Sequence, residues 1–411
     1  MSNLNCNFCN ASLQYSFADL GMSPLSNSYV PADNLQSMEA FFPLHAYVCD
    51  KCFLVQLPPV EKPENIFSDY AYFSSFSDSW LAHCKKYVDM MVSRFSLNEK
   101  NQIVEIASND GYLLQYFQQH NIPVLGVEPA ANVAKVAEEK GVPSVVKFFG
   151  VQTAKELVAE GKKASVLLGN NVLAHVPDIN DFVAGMKILL DDDGVITMEF
   201  PHLMQQMKYN QFDTIYHEHF SYLSFITVQT IFQKHGLRLF DVDEVSTHGG
   251  SLRIYACHQD DKSKTIQPVV ADLLEREDNF GLKTIDAYTN FASQVNETKR
   301  GLLKFLVQAK EEGKTLVGYG APAKGNTLLN YCGVRSDFLD YTVDRSPHKQ
   351  GTYLPGVHIP IFAPEKIKET KPDYVVILPW NLRDEVMEQM KYVRDWGGKF
   401  VVFIPKVRVY E

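Results

Sequence analysis

Four cysteines stand in two Cys-x-x-Cys pairs, Cys6-Asn7-Phe8-Cys9 and Cys49-Asp50-Lys51-Cys52. Each pair sets two thiols on a tight turn, and two such turns complete the tetrahedral sulfur shell that zinc prefers. A closed shell leaves no coordination position for water, so the expected role is structural. A redox pair is the competing reading. Cys84, Cys257 and Cys332 have no partner by spacing.

A second cluster is Asp213-Thr214-Ile215-Tyr216-His217-Glu218-His219-Phe220-Ser221-Tyr222. Imidazole titrates nearest neutrality, so His219 is a candidate general base, with Glu218 or Tyr216 to orient it and a phenol to hydrogen-bond a developing enolate. His217 and His219 are two residues apart, a spacing that cannot put both rings on one helical face as His-Glu-x-x-His metalloproteases require. Catalytic metal is therefore not expected. His175 reads equally as a structural or a catalytic histidine. Tyr70 and Tyr72, in the aromatic, hydroxyl-rich run 68–75, read as lid or packing residues. His248-Gly249-Gly250-Ser251-Leu252-Arg253 supplies a glycine turn with Arg253 able to meet an anion, and a tight hairpin explains the glycines equally well.

These groups need a frame to hold them. The apolar run Ile103-Val104-Glu105-Ile106 passes into the turn Ala107-Ser108-Asn109-Asp110-Gly111 and then a helix, the opening of a Rossmann-like unit. A second strand, Val124-Leu125-Gly126-Val127, ends at Glu128-Pro129, where a carboxylate suits the two hydroxyls of a ribose. A dehydrogenase is the competing doubly wound protein, but with Gly111 alone in the turn a pyrophosphate finds little close backbone approach. S-adenosylmethionine has no phosphate and does not need it. Strands over 165–169 and 194–200, a helix over 182–190 between them, and Asn170-Asn171 at a strand's carboxyl end continue the pattern. A helix over 228–236 and strands over 238–245 and 251–258 would close the sheet with an antiparallel edge.

After a helical bridge over 287–312, Thr315 to Asn326 repeats strand, glycine turn and helix, with further strands ending at Asp344 and over 374–378 and 400–404. The turn Gly320-Ala321-Pro322-Ala323-Lys324-Gly325-Asn326 suits a diphosphate, and Asp344 stands where a Rossmann-like fold holds a ribose. Read in isolation, those parts predict NAD. Lys349, Gly351, Tyr353, Pro379 and Trp380 lie on loops at strand ends that would complete the pocket.

The chain thus divides into a zinc-binding module (1–62), a connecting aromatic loop and helix (63–98), a core (99–260), a helical bridge (261–312) and a smaller carboxyl-terminal α/β lobe (313–411). Its 411 residues carry a net charge of −10 with no basic cluster, so nucleic acid is not an expected partner. No apolar run is long enough to cross a bilayer and the amino terminus lacks signal-peptide features. A soluble, cytoplasmic monomer is expected.

Taken in order, the motifs resemble the zinc-containing sugar C-methyltransferases of deoxysugar biosynthesis across essentially the whole sequence. The resemblance rests on the double Cys-x-x-Cys knuckle, Glu-x-x-Ser-Asn-Asp-Gly, Gly-Asn-Asn-Val-Leu-Ala-His, Tyr-His-Glu-His-Phe-x-Tyr, Gly-Gly-Ser-Leu-Arg and Gly-Tyr-Gly-Ala-x-x-Lys-Gly-Asn. It implies a class I methyltransferase core that transfers a methyl group from S-adenosylmethionine to carbon 3 of a nucleotide-linked 4-keto-6-deoxysugar through an enolate. By that resemblance His219 is the base, with Tyr216, Glu218, Tyr70 and His175 positioning the sugar or stabilising the enolate. Glu105, Ser108, Asp110, Gly111, Glu128, Pro129, Asn170 and Asn171 form the implied cofactor set. Tyr72, Tyr222, Arg253, Gly320, Ala321, Lys324, Gly325, Asn326, Asp344, Lys349 and Trp380 form the implied acceptor set. Ala107 departs from the pattern, because these turns usually have glycine there; its methyl would crowd the methionine moiety or follow a wider turn. An O-methyltransferase and a non-catalytic, zinc-organised nucleotide-binding protein are the alternatives. The zinc is expected to fix the segment leading into Tyr70 and Tyr72, remote from methyl transfer.

Overall fold

A computed structural model describes residues 4–60, 74–76 and 78–411. Tyr70 and Tyr72 lie outside the described residues. No helix among those described is long and apolar enough to cross a membrane.

The amino-terminal part holds strands β1 (Tyr15–Ser23), β2 (Val30–Pro31), β3 (Phe42–Val48) and β4 (Val55–Gln56). In β3, Leu44, Ala46 and Val48 are buried and alternate with more exposed neighbours, the period of a half-buried strand. It pairs antiparallel with β1 and β4.

The central lobe follows with β5 (Ile103–Ile106), β6 (Val124–Val127), β7 (Ser144–Val145), β8 (Ala164–Asn170), β9 (Leu190–Pro201), β10 (Ser221–Tyr222), β11 (Leu237–Val245) and β12 (Ser251–His258). Seven of these form one sheet in the order β11-β12-β9-β8-β5-β6-β7, the doubly wound arrangement that the sequence predicts. Strand order reverses between β5 and β8, which creates the crevice at the carboxyl ends where such sheets bind ligands. The antiparallel strand differs from expectation in its place: β12 lies between β9 and β11 rather than at the rim. All but the last of its residues are buried, as a strand covered on both faces requires.

Two helices also begin earlier than periodicity suggests. The helix Ile179–Leu189 starts where the Asp178 side chain caps the Asp181 N–H, and Phe225–Lys234 starts where Ser224 caps Thr227. Glu277 reinforces the second cap by accepting from Phe225 N and Ile226 N at 2.7 and 2.8 Å.

The bridge is three helices, Pro268–Phe280, Ile285–Thr289 and Phe291–Glu311. Proline stands in the first turn of the first, and Gly281, with φ 98°, ends it. The last lobe contains β13 (Leu316–Tyr319), β14 (Thr342–Val343), β15 (Thr352–Tyr353), β16 (Ile361–Phe362), β17 (Tyr374–Ile377), β18 (Lys399–Val402) and β19 (Arg408–Tyr410). Its sheet runs β16-β14-β13-β17-β18-β19, with only β19 antiparallel. Strand β15 instead pairs with β2 of the amino-terminal part.

The apolar cores cut across these segments. Cys6, Phe8, Cys49, Cys52 and Leu54 share a core with the central sheet and its helices, while Phe17, Leu44 and Val48 share another with the bridge and the last lobe. Phe17 stacks on Phe291 with ring centres 4.6 Å apart. The amino-terminal segment is therefore a wedge holding the other lobes in place, and its insertion positions the site.

Candidate functional site

The sulfurs of Cys6, Cys9, Cys49 and Cys52 all lie within 4.8 Å of one another, with 3.5 Å between Cys6 and Cys52 and between Cys9 and Cys49. A tetrahedron with zinc–sulfur bonds of about 2.3 Å needs ligand separations near this range. Gln56 Nε2 and the Lys51 N–H donate to the sulfurs of Cys6 and Cys49 at 3.2 and 3.4 Å, the outer contacts that orient metal-bound thiolates. The donor set fits a structural zinc.

This knuckle is docked on the core. Asn180 Nδ2 donates to the carbonyls of Asn7 and Phe8 at 3.1 and 2.9 Å, and the Thr227 hydroxyl donates to that of Cys52 at 3.2 Å. Soon after Cys52 the chain enters β4, where Gln56 pairs with Ser221 and Val55 with Tyr222, and Leu57 N donates to the Phe220 carbonyl at 3.0 Å. The metal module thus reaches the segment carrying His219 through a strand pairing.

In the turn after β5, Ala107 and Asn109 both adopt left-handed backbone, with φ of 56° and 49°. The turn keeps its tight course, and alanine takes a conformation that costs a residue with a Cβ about 1–2 kcal/mol. Glu128 accepts from the N–H groups of Asn109 and Ala130 at 2.8 and 2.9 Å, and burial raises its carboxyl above the ordinary range. Pro129 follows it, half-buried. Lys140 Nζ lies 3.0 Å from the Asp110 carboxylate. Glu105 is fully buried beside the Tyr112 hydroxyl, and burial pushes its carboxyl well up. Gly111 packs against Val142, where a Cβ would come within 2.9 Å.

Around this crevice Ser108 Oγ, Asp110 Oδ1 and Asn171 Oδ1 are buried with no hydrogen-bond partner among the described residues. Such atoms are costly to leave unmet. They sit after β5 and β8, on either side of the strand-order reversal, and half-buried Asn170 ends β8 beside them. Neutral and anionic acceptors with no phosphate cradle fit S-adenosylmethionine.

The proton-handling groups gather next to it. The His219 ring centre is 4.0 Å from that of Tyr216, 4.6 Å from a nearly perpendicular His175 and 6.1 Å from Tyr222. His219 Nδ1 lies 2.9 Å from the Thr214 carbonyl oxygen. A carbonyl only accepts, so Nδ1 carries the hydrogen and Nε2 keeps its lone pair. Burial holds His219 well below its ordinary pKa and lowers His175 to about 4. The His175 ring also donates to the Glu218 backbone carbonyl. His217 turns away to the Pro43 carbonyl at 3.2 Å and the edge of Phe42, where it anchors β3.

Sequence reasoning missed Asn27 and gave Asp213 and His248 no role of their own, while Lys324 and Trp380 were expected only as acceptor contacts. Asn27 Nδ2 donates to Glu218 Oε1 at 2.6 Å, and burial lifts that carboxyl to about 7. His248 accepts from Asn171 Nδ2 at 3.0 Å. Asp213, raised by burial to about 6, accepts from Trp380 Nε1 at 2.7 Å. Lys324 Nζ lies over the Trp380 ring at 4.7 Å and donates to Asn381 Oδ1 at 2.8 Å, and its charge is felt at Asp213, His219 and His248. Contacts between segments so far apart in the chain leave no local sequence signal.

Two parts of the implied acceptor set make contacts within the chain. In the turn after β13, Asp344 Oδ2 accepts from Ala321 N at 2.7 Å, and the Ala321 carbonyl receives the Tyr29 hydroxyl at 2.6 Å and Lys349 Nζ at 2.9 Å. Asn326 Nδ2 donates to the Ser26 carbonyl at 2.6 Å, and Gly325 packs on Leu378. Of these groups, the Ala321 carbonyl and Asn326 hold the amino-terminal loop, while Asp344 and Gly325 brace the turn within its own lobe. Arg253 is buried: Nη2 donates to Glu199 at 2.8 Å and the guanidinium lies over Tyr87 at 4.6 Å.

Comparison with known proteins agrees with this geometry. Residues 246–405 match the C-methyltransferase C-terminal domain family, 80–242 a methyltransferase domain family and 6–67 a zinc binding domain family. The chain is 35% identical over 404 residues to C-methyltransferase NovU of Streptomyces niveus, covering 98% of this chain and 96% of that protein. Among solved structures, the PH0226 protein of Pyrococcus horikoshii is 12% identical with a TM-score of 0.38, covering 48% of this chain and 99% of its own. Magnesium protoporphyrin IX methyltransferase of Synechocystis is 14% identical with a TM-score of 0.33, covering 43% and 79%.

Proposed function

Because the chain belongs to the zinc-containing, S-adenosylmethionine-dependent C-methyltransferases, we propose that it methylates carbon 3 of a nucleotide-linked 4-keto-6-deoxysugar, with His219 as the base. Membership in a C-methyltransferase family sets aside the O-methyl and non-catalytic alternatives. Bound S-adenosylmethionine supplies an electrophilic methyl group.

The observation that carries the reading is the His219 tautomer. The sugar ketone acidifies the neighbouring C–H, and an imidazole whose Nδ1–H is held by the Thr214 carbonyl offers Nε2 to that proton. The C–H electron pair moves to the ketone oxygen as an enolate, which the Tyr216 hydroxyl stabilises by hydrogen bonding, while His175, its N–H held by the Glu218 carbonyl, packs against His219 and positions it. The enolate carbon would take the methyl group as its bond to the donor sulfur breaks and the thioether departs, the ketone returns, and the His219 imidazolium gives its proton to solvent. Burial keeps His219 unprotonated across the neutral range, so the base is ready before the acceptor arrives. Glu218, held by Asn27, takes a sugar hydroxyl.

One chain supplies every group named, so a monomer suffices. A cytoplasmic site of action accompanies the reading, since paired thiols stay available to zinc where the compartment is reducing.

The test is solvent exchange. Protein incubated in deuterium oxide with a dTDP-linked 4-keto-6-deoxyhexose, without methyl donor, should place deuterium at carbon 3. His219→Ala should slow that exchange by about 10²–10⁴-fold while retaining S-adenosylmethionine binding. No exchange in any nucleotide-linked keto-sugar sinks the enolate route.

A further inference from the structure

The hydrogen bond that fixes His219 Nδ1 ends on a very short element. Its acceptor, the Thr214 carbonyl, closes the turn Phe212–Thr214, three residues of 3-10 helix, whose own bonds are too poorly aligned to hold one orientation alone. Two ties reach this turn from the last lobe. Trp380, just beyond β17, donates its indole N–H to Asp213 Oδ2 at 2.7 Å. Thr327, on the helix Ala323–Cys332, donates its hydroxyl to the Ile215 carbonyl at 3.1 Å, and Tyr331 of the same helix meets the Phe212 ring edge-on at 5.4 Å. The carbonyl that receives the His219 hydrogen therefore lies between two tethered residues, Asp213 before it and Ile215 after it. Asp213 and Thr327 are almost wholly buried, so water competes little for either bond.

A carboxylate is costly to bury at Asp213, where an apolar side chain would pack without that cost. What the carboxylate adds is a directional bond to a ring that is itself fixed. Gly249, with φ 93°, lies so close under Trp380 that a Cβ there would overlap the indole. Gln211, the residue before the turn, donates Nε2 to the Gly249 carbonyl at 2.9 Å. The contacts close on themselves, from Trp380 to Asp213, from Gln211 to Gly249 and from Gly249 back to Trp380, so the turn, the glycine loop and the last lobe move as one unit.

We propose that Trp380 and Asp213 are positioning residues for proton abstraction: their bond, together with that of Thr327, holds the Thr214 carbonyl where it keeps His219 in the tautomer with Nε2 free. The inference rests on His219 as the base. It gives the last lobe a part in setting that base, separate from any contact with the acceptor.

The direct readout is the imidazole. Nitrogen-15 NMR of the intact, histidine-labelled protein separates a ring with its hydrogen on Nδ1 from one with it on Nε2, and the His219→Ala spectrum identifies the signal. Burial keeps His219 neutral at pH 7, so protonation does not blur the comparison. Wild type should show the Nδ1–H form. Trp380→Phe keeps a ring against Gly249 and removes only the N–H; it should move the His219 signals toward an average of the two tautomers. At saturating keto-sugar it should slow carbon 3 exchange by about tenfold or more, because a small misplacement of a reacting group is enough for such a loss. KM for the keto-sugar, S-adenosylmethionine binding and the melting temperature should hardly change. Thr327→Val, which removes the second tie at nearly constant volume, should act in the same direction. Asp213→Asn, whose amide oxygen still accepts from the indole, should retain more exchange than Asp213→Ala. A raised KM with the saturated rate unchanged in Trp380→Phe makes Trp380 an acceptor contact and overturns the proposal. So does a His219 spectrum that neither Trp380→Phe nor Thr327→Val alters. The spectrum is taken without acceptor, so it decides the clamp separately from the loss of exchange in His219→Ala, on which the base itself depends.

Discussion

The chain builds a strand, a tight turn and a helix at β5 and again at β13, and the two turns have opposite fates. After β5, Ser108 Oγ and Asp110 Oδ1 are buried with no partner among the described residues, as is Asn171 Oδ1 after the neighbouring β8. After β13, Asp344, Tyr29 and Lys349 answer the backbone groups of Ala321. The difference comes from the amino-terminal loop, whose Ser26 and Tyr29 press on the second turn and leave the first open. A local motif sets the course of the backbone. Whether that backbone binds a ligand depends on what the rest of the chain lays across it.

The strongest way to break this contrast is to release the wedge. Cys49→Ser should lose zinc and destabilise the protein by several kcal/mol, because metal binding at such sites is coupled to folding. Through the β4–β10 pairing, acceptor binding should weaken more than S-adenosylmethionine binding; calorimetry showing equal losses would report global unfolding instead.

The two turns can then be set against each other directly. Asp344→Asn should cost about 1–3 kcal/mol in chemical denaturation, since it leaves a buried N–H badly matched, with donor affinity unchanged. Asp110→Asn should do the reverse, raising the dissociation constant for S-adenosylmethionine with little loss of stability. Equal effects on donor binding would erase the distinction.

Glu218 sharpens the chemical side. Its carboxyl, raised by burial to about 7, is protonated on the acid side, so kcat/KM should fall below that midpoint, and Glu218→Gln should flatten the limb. For stability the sign is opposite: the folded carboxyl holds its proton longer than the unfolded one. Its contribution is therefore fully present below the model-peptide value and lost as pH rises through about 7. Denaturation midpoints of wild type and Glu218→Gln across this range check it.

The smallest expected effect is at Ala107. With φ of 56°, Ala107→Gly should relieve strain and stabilise the protein by up to about 1 kcal/mol, partly offset by the freer unfolded chain. A loss of stability would mean that the methyl makes packing contacts worth more than the strain.

Much of the frame was legible locally. The cysteine spacing prescribed a four-sulfur shell, and apolar runs with turns after them marked β5, β6 and β8. Caps at Asp178 and Ser224 were also local signals, and periodicity alone passed over them. Other features were not legible at any one position. The burial of β12 depends on which strands lie on both sides, and the pairing of Arg253 with Glu199 joins neighbouring strands distant in sequence.

By itself the sequence determined the metal ligands, the alternation of strands and helices, and the set of side chains able to move a proton near neutrality. These follow from residue type and short-range spacing, which act before the chain is folded. Only the tertiary structure decided that His219 keeps a lone pair while His217 anchors β3, that Glu218 is held by Asn27, and that one turn stays open and the other is filled. Burial and hydrogen bonding between distant segments set those outcomes, and neither exists until the segments pack.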